Sequence, residues 1–417
     1  MSLPASIQAW MPVAQRAMAR CAELAAVSSH PDHIDRAYLT DQHKQVNALA
    51  GQWMIEAGLQ SQTDPAGNLV GLRDAHKPVL VIGSHLDTVP NAGAFDGILG
   101  VLTGIEIAAA LQDTPLPFGL EIIGFGEEEG VRFGTTLMTS AARAGCWQED
   151  WWQLKDSQGV SVAQAFEAFG LDPHAVASAR AAERELVGFF EIHIEQGPVL
   201  EQEDLPLGVV TGIAAAKRLH VTVSGMAGHA GTVPMNLRSD ALVGAAACIA
   251  QAEKLAKQFD VVATVGQIEA FPGGVNVIPG RVRFSLDVRS LDRSAINEFL
   301  QAWQTWSVEH LKTSAATPMT FATEVFHDAP AAHCADWLQD ALAGSLVHLQ
   351  LPVRHLPSGA GHDAMMMATV CDAAMLFVRC EGGISHNPRE NIQVEDVAWA
   401  LAAGVHFVEN LKPTTRN

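Results

Sequence analysis

The sequence predicts an α/β protein with an α+β segment inserted into it. Three observations predict this. Short, fully apolar runs alternate with helix-periodic segments at both ends of the chain. Between them, from about residue 214 to about 330, the strands switch to in–out alternation. No internal repeat and no low-complexity tract points to another architecture.

The elements follow in order. Val46, Leu49, Trp53 and Met54 share one helical face, and Gly58 is placed to cap that helix. Val79–Ile82 is apolar at every position, as a strand covered on both faces must be. Ile98, Val101, Leu102 and Ile105 mark the next helix, and Leu120–Phe125 and Phe189–Ile194 are further buried strands. In the middle segment Leu219, Val221 and Val223 alternate with His220, Thr222 and Ser224, the mark of a half-covered strand. A helix over 237–257, strands over 261–269 and 281–289, a helix over 294–312 and a strand over 318–325 come next. The α/β texture then returns with a helix over 334–347, a strand over 374–378 and a helix over 394–411. One domain is therefore expected from 1–214 and 328–417, and a second from 215–327.

Composition narrows the function. The chain has 417 residues, 48% of them hydrophobic, which is ample for more than one core. Lys and Arg number 26 against 46 Asp and Glu, a net charge of −20. That balance makes the chain a poor candidate for general nucleic-acid binding, which needs clustered cations, and for anionic membrane surfaces. The 6 cysteines include no C-x-x-C pair, so buried, reduced thiols are expected. Met1-Ser2-Leu3-Pro4 opens no basic and apolar leader, and no apolar stretch is both long and uncharged enough to span a bilayer. A soluble cytoplasmic enzyme is expected.

Its chemistry gathers where strands end, the usual place for sites on open α/β sheets. His85 and Asp87 follow the Val79–Ile82 strand, and Asp96 stands just before the next helix. Glu127, Glu128 and Glu129 follow Leu120–Phe125. His193 lies near the end of its strand, ahead of Glu195-Gln196-Gly197, and His386 follows the strand over 374–378. Each alone has a bland explanation: Asp96 as a helix cap, the glutamates as a solvated loop, His193 as a core histidine. Together they form a nitrogen-and-oxygen donor set suited to Zn²⁺, Mn²⁺, Co²⁺ or Ni²⁺. A spare carboxylate beside such ligands can act as general base, and Asp87 can hydrogen-bond the far nitrogen of His85.

His85-Leu86-Asp87, Phe95-Asp96-Gly97, Glu128-Glu129-Gly130, His193-Ile194-Glu195-Gln196-Gly197 and Gly383-Ile384-Ser385-His386 resemble the amidase/carbamoylase branch of the dinuclear M20 metallopeptidases. The likeness runs from about residue 40 to the C-terminus. It implies an aminopeptidase-like catalytic domain with an inserted α+β sandwich serving as lid and dimer contact, hence a homodimer. It implies two divalent ions per subunit, Mn²⁺ or Zn²⁺, with Co²⁺ or Ni²⁺ as substitutes. His85 and His193 would hold one ion, Glu129 and His386 the other, with Asp96 bridging, Glu128 as base and Glu127 as a bystander. From the inserted domain the resemblance draws His229 to polarise the scissile carbonyl, and Asn276 and Arg289 to hold a carboxylate. Arg218 would border the same pocket and Gln196 would touch a ureido group. The chain departs from the family at Ala215 and Ala216, where a glycine and a glutamine are common. The implied reaction is hydrolysis of a ureido acid. Allantoate comes first, giving ureidoglycine, ammonia and CO₂, and N-carbamoyl-L-amino acids or ureidopropionate second. A dinuclear aminopeptidase and an inactive metal-binding relative are the remote alternatives.

Overall fold

The computed structural model describes residues 3–181 and 185–412. They form two compact units. One comprises the described residues up to Gly212 and from His333 onward; the other is Ile213–Ala332.

The first unit is built on a mixed sheet. Val79–His85 lies at its centre, parallel to Gly119–Phe125 on one side and to Leu186–Ile194 on the other. Ala373–Val378 runs parallel beside Leu186–Ile194. Val79–His85, Gly119–Phe125 and Ala373–Val378 are buried throughout. Helices Met11–Ala25, Ile98–Ala110, Asp336–His348 and Val394–Asn410 pack around them and share one core. Such strands carry no polar–apolar alternation because neither face meets water.

The flanks differ from expectation. Gln60–Thr63 and Leu69–Arg73 add an antiparallel pair outside Gly119–Phe125, and Leu207–Ile213 runs antiparallel to Ala373–Val378. Gln60–Thr63 reads Gln-Ser-Gln-Thr and is almost wholly exposed, so no apolar signal announces it. Helix Asp41–Glu56 buries Val46, Trp53 and Met54 as expected, with one exception and two additions. Leu49 is exposed, while His43 and Asn47 are buried beside Val46 and Met54. Each of the polar pair is hydrogen-bonded through one atom: His43 Nδ1 accepts from Leu39 N at 3.1 Å and Asn47 Nδ2 donates to Gly67 O at 3.1 Å.

Parallel pairing brings the strand ends to one edge. His85 stands opposite Phe125, just before the three glutamates, and His193 stands opposite Phe377.

The second unit is an antiparallel sheet in the order Ile268–Phe271, Arg281–Ser290, Ala215–Ser224, Thr320–Ala329. Leu219, Val221 and Val223, together with Val282 and Phe284, share a core with helices Ala241–Phe259 and Arg293–Thr313, the second of which contributes Trp303. The first of these helices starts later than the apolar pattern implies, because Asp240 caps it by accepting from Leu242 N and Val243 N. The strand expected over 261–269 is two strands. Val262–Thr264 pairs with 287–289 and Ile268–Phe271 with 281–284, so the ladder breaks between them.

All 6 cysteines are free, and Cys146 is exposed rather than buried. Among the described residues no helix is long and apolar enough to cross a membrane.

Candidate metal centre

Asp96 is the hub of the site. It sits in the turn that opens helix Ile98–Ala110, yet it does not cap that helix; Gly97 occupies the cap position and no side chain caps there. The Asp96 carboxylate turns instead toward three imidazoles. Oδ1 lies 3.1 Å from His193 Nε2 and 3.6 Å from His85 Nε2, while Oδ2 lies 3.2 Å from His386 Nε2. Gly97 makes this approach possible. Its φ is +72°, and a Cβ there would lie 2.4 Å from the His85 ring.

Three groups of donor atoms are close enough to share a cation: His85, Asp96 and His193; Asp96, Glu129 and His386; and His85, Glu128 and Glu129. The first two share Asp96. The hydrogen bonds on the far side of the rings decide whether these groups suit a cation. His193 Nδ1 lies 2.8 Å from Ile194 O, and His85 Nδ1 lies 3.1 Å from Asp87 O. A carbonyl only accepts, so each Nδ1 carries the proton and, in the neutral ring, each Nε2 presents a lone pair. His193 Nε2 is buried and makes no hydrogen bond despite its 3.1 Å approach to Asp96. A lone pair facing a carboxylate oxygen is stable only with a cation or a second proton between them. The nitrogen-and-oxygen donor set fits a borderline divalent metal. Burial lowers the affinity of His85 and His193 for a proton, but Asp96, and for His85 also Asp87, outweigh it and raise both pKa values. Burial likewise raises the Asp96 pKa, and the three imidazoles reverse this and hold it well below the ordinary value.

The glutamates form no solvated loop. Glu127 and Glu128 are buried. Glu127 Oε1 accepts from Gly130 N at 2.6 Å and closes the turn, and Glu127 belongs to none of the donor groups. Burial pushes the Glu128 carboxyl well above its ordinary pKa. His85 opposes the shift, and Glu129, Asp363 and Asp87 add to it. Asp87 works differently from expectation. The hydrogen-bonded contact to His85 is from its backbone carbonyl, with the carboxylate at 3.4 Å. Its carboxylate oxygens accept instead from Glu128 N at 3.1 and 3.2 Å and from Glu129 N at 3.1 Å.

Gln196 and His386 are non-glycine residues at positive φ, +55° and +54°, a conformation that costs free energy and gathers at functional sites. Gln196 Nε2 donates to Asp96 Oδ2 at 2.7 Å, and its Oε1 is buried without a hydrogen-bond partner. Two participants received no role from the sequence, Ser385 although it stands in the Gly383-Ile384-Ser385-His386 motif. Ser385 contacts Asp96 directly, and Glu390 holds the backbone of the Asp96 turn. No local pattern marks Glu390, because what distinguishes it is its burial.

The remaining expected residues lie in the second unit. Arg218 and Arg289 share Asp287: Arg289 Nε and Nη2 donate to its two oxygens at 3.0 and 2.9 Å, and Arg218 Nε donates at 3.0 Å. Burial raises the Asp287 pKa, and the two guanidinium groups more than reverse it. His229 and Asn276 meet on a small ribbon in which His229 pairs with Val277 and Ala230 N donates to Asn276 O at 2.9 Å.

Comparison with known proteins shows the family. The pattern of peptidase family M20/M25/M40 matches residues 81–410. The chain belongs to peptidase family M20. Its sequence is 38% identical to an N-carbamoyl-L-amino-acid amidohydrolase of Pseudomonas sp. (strain NS671), over 87% of this chain and 90% of the relative. It is 37% identical to an allantoate deiminase of Arabidopsis thaliana, over 94% of this chain and 82% of the relative. Its fold matches a crystal structure of a hydantoinase/carbamoylase family amidase from Burkholderia multivorans. The TM-score is 0.87 at 31% identity, covering 96% of this chain and 98% of that one. Within the M20 family the chain falls in this hydantoinase/carbamoylase branch, and it is a hydrolase acting on C–N bonds. The groups around Asp96 are candidate ligands for an M20 dinuclear metal site.

Proposed function

We propose that this protein hydrolyses the carbamoyl C–N bond of a small ureido acid. The observation that carries the proposal is one carboxylate, Asp96, facing three imidazoles, with Glu128 buried beside them. His85 and His193 would hold one ion and Glu129 and His386 the other, with Asp96 belonging to both groups. Two divalent ions bound there, Mn²⁺ or Zn²⁺ with Co²⁺ or Ni²⁺ as substitutes, would supply Lewis-acid chemistry to the carbamoyl group.

The chain's own residues do the rest. Glu128 takes the proton of the attacking water and delivers it to the leaving nitrogen. Asp87 holds the amides of Glu128 and Glu129 and so aims both side chains. Gln196 Oε1 accepts a ureido N–H, which its unpartnered burial supports. Arg289 and Asn276 take the substrate carboxylate, with Arg218 bordering the pocket. Asp287 fixes the orientation of both guanidinium groups. His229 donates to the developing oxyanion, a contact worth roughly 10²–10³ in rate.

Allantoate is the first substrate of this reading. The residues over 376–386 and 358–365 support it by their likeness to allantoate amidohydrolases. N-Carbamoyl-L-amino acids come second, favoured by the Pseudomonas relative and by the residues over 130–136. In the same proposal the second unit is the lid and the homodimer contact. Exposed Met226, Met235, Leu237 and Val275 on that unit support the dimer.

Ammonia release from Mn²⁺-reconstituted protein, with allantoate and N-carbamoyl-L-amino acids side by side, tests the reading. The faster substrate decides between the two. Release from neither, with metal bound, rejects the ureido acid class.

A further inference from the structure

Asp96 can bridge two cations only if its carboxylate plane is held, with one oxygen toward each donor group. Oδ1 faces His85 and His193, and Oδ2 faces His386. A free aspartate side chain rotates about its last bond, so something must fix it. Oδ2 receives two donors: Gln196 Nε2 at 2.7 Å and Ser385 Oγ at 2.5 Å. Ser385 Oγ lies in turn 3.0 Å from Glu390 Oε2.

Glu390 reaches the same aspartate from the other side. Its Oε1 accepts from Phe95 N at 2.8 Å and from Asp96 N at 3.1 Å. One buried side chain thus accepts from the backbone of the bridging residue, and its other oxygen lies within 3.0 Å of the hydroxyl that aligns the carboxylate. Gly93 packs directly against it. A Cβ at that position would lie 2.3 Å from Glu390 Cδ, so the carboxylate is confined from below. The turn at 93–97 is thereby tied to the segment that carries His386. The two donor groups stay in register through atoms that belong to neither group.

We propose that Glu390 and Ser385 are positioning residues that orient the bridging Asp96 and set the affinity of the centre for its second cation. The inference rests on the two-cation reading above. Partners of this kind are worth about 10–100-fold in metal affinity.

Calorimetric titration of metal-free protein with Mn²⁺ tests it, alongside the thermal midpoint of the metal-free form. The wild type should bind two ions, and Asp96→Ala should lose at least one. Ser385→Ala removes a single hydroxyl. It should weaken the second ion about 10–100-fold while the first ion and the metal-free midpoint stay as in the wild type. Glu390→Ala should weaken the second ion to the same degree. Glu390→Gln keeps an acceptor for the two amides and should recover part of the loss. Wild-type affinity for both ions in Ser385→Ala and Glu390→Ala overturns the inference. If Glu390→Ala does not fold, Ser385→Ala decides by the same criterion. A wild type that binds fewer than two ions fails the two-cation reading itself and takes the inference with it, so the two failures are distinguishable.

Discussion

A carboxylate and its amide differ by one proton site and almost nothing in shape, which makes Glu128 the sharpest residue to change. Glu128→Gln should keep metal binding and lower turnover at least about 100-fold, since the amide accepts no proton. Turnover near the wild-type rate in a metal-replete variant would remove Glu128 as the base. Arg289 is tested by substrate charge. Arg289→Ala should raise KM for carboxylate-bearing ureides far more than for neutral ureas, and equal effects on both would reject the clamp. Residues of this scale were legible when their type is rare at strand ends, as with His85 and His193. Asp87 was legible as a participant but not in its task. Its sequence neighbour is His85, whereas its carboxylate partners, the amides of Glu128 and Glu129, lie about 40 residues away.

Elements set where those residues can stand. The central strands were readable because burial on both faces demands unbroken apolar runs, and the helix Ile98–Ala110 because its inward positions are Ile, Val and Leu. Gln60–Thr63 was not readable, since an exposed edge strand needs no apolar face. The turn into Ile98–Ala110 gives a prediction at this scale. Gly97→Ala forces a side chain into a left-handed φ and against the His85 ring. It should cost about 1–3 kcal/mol of stability and lower metal affinity together. A variant with unchanged thermal midpoint and unchanged Mn²⁺ titration would show that His85 does not depend on this turn.

Across the whole molecule, stability depends on pH through buried groups outside the donor set, among them His43 and Asp64. Burial lowers the His43 pKa from 6.5 to about 4, so the folded ring stays neutral while the unfolded chain takes up a proton. The stability linked to His43 is complete above about pH 6.5 and is lost as pH falls toward 4, a change of about 3 kcal/mol. Asp64 runs the other way. Burial raises its pKa to about 6, partly offset by hydrogen bonds from Asn68 and Ala66, so acidification between 6 and 3.8 relieves a cost of similar size. The two nearly cancel in the wild type. His43→Gln should remove one side of that balance. Between pH 6 and 4, its urea-unfolding free energy should rise on acidification relative to the wild type by about 1.4 kcal/mol per pH unit. Parallel wild-type and variant curves would mean that His43 titrates normally in the fold.

Sequence alone determined what is written in local chemistry and period. That covers the α/β texture, the change of texture in the middle of the chain, and the donor types at the strand ends. It covers the acidic balance, a net charge of −20, as well. Tertiary structure decided what depends on distance through space. It turned Asp96 from a possible cap into the hub of three imidazoles and assigned the protons of His85 and His193 by the carbonyls behind them. It gave Arg218 and Arg289 a common Asp287, and it brought Glu390 to Asp96 across 294 residues of chain. The physical reason is the range of the forces. Periodicity reports which face of an element meets water, whereas coordination and hydrogen bonding depend on atoms within about 3 Å, which strand pairing brings together from any separation in sequence.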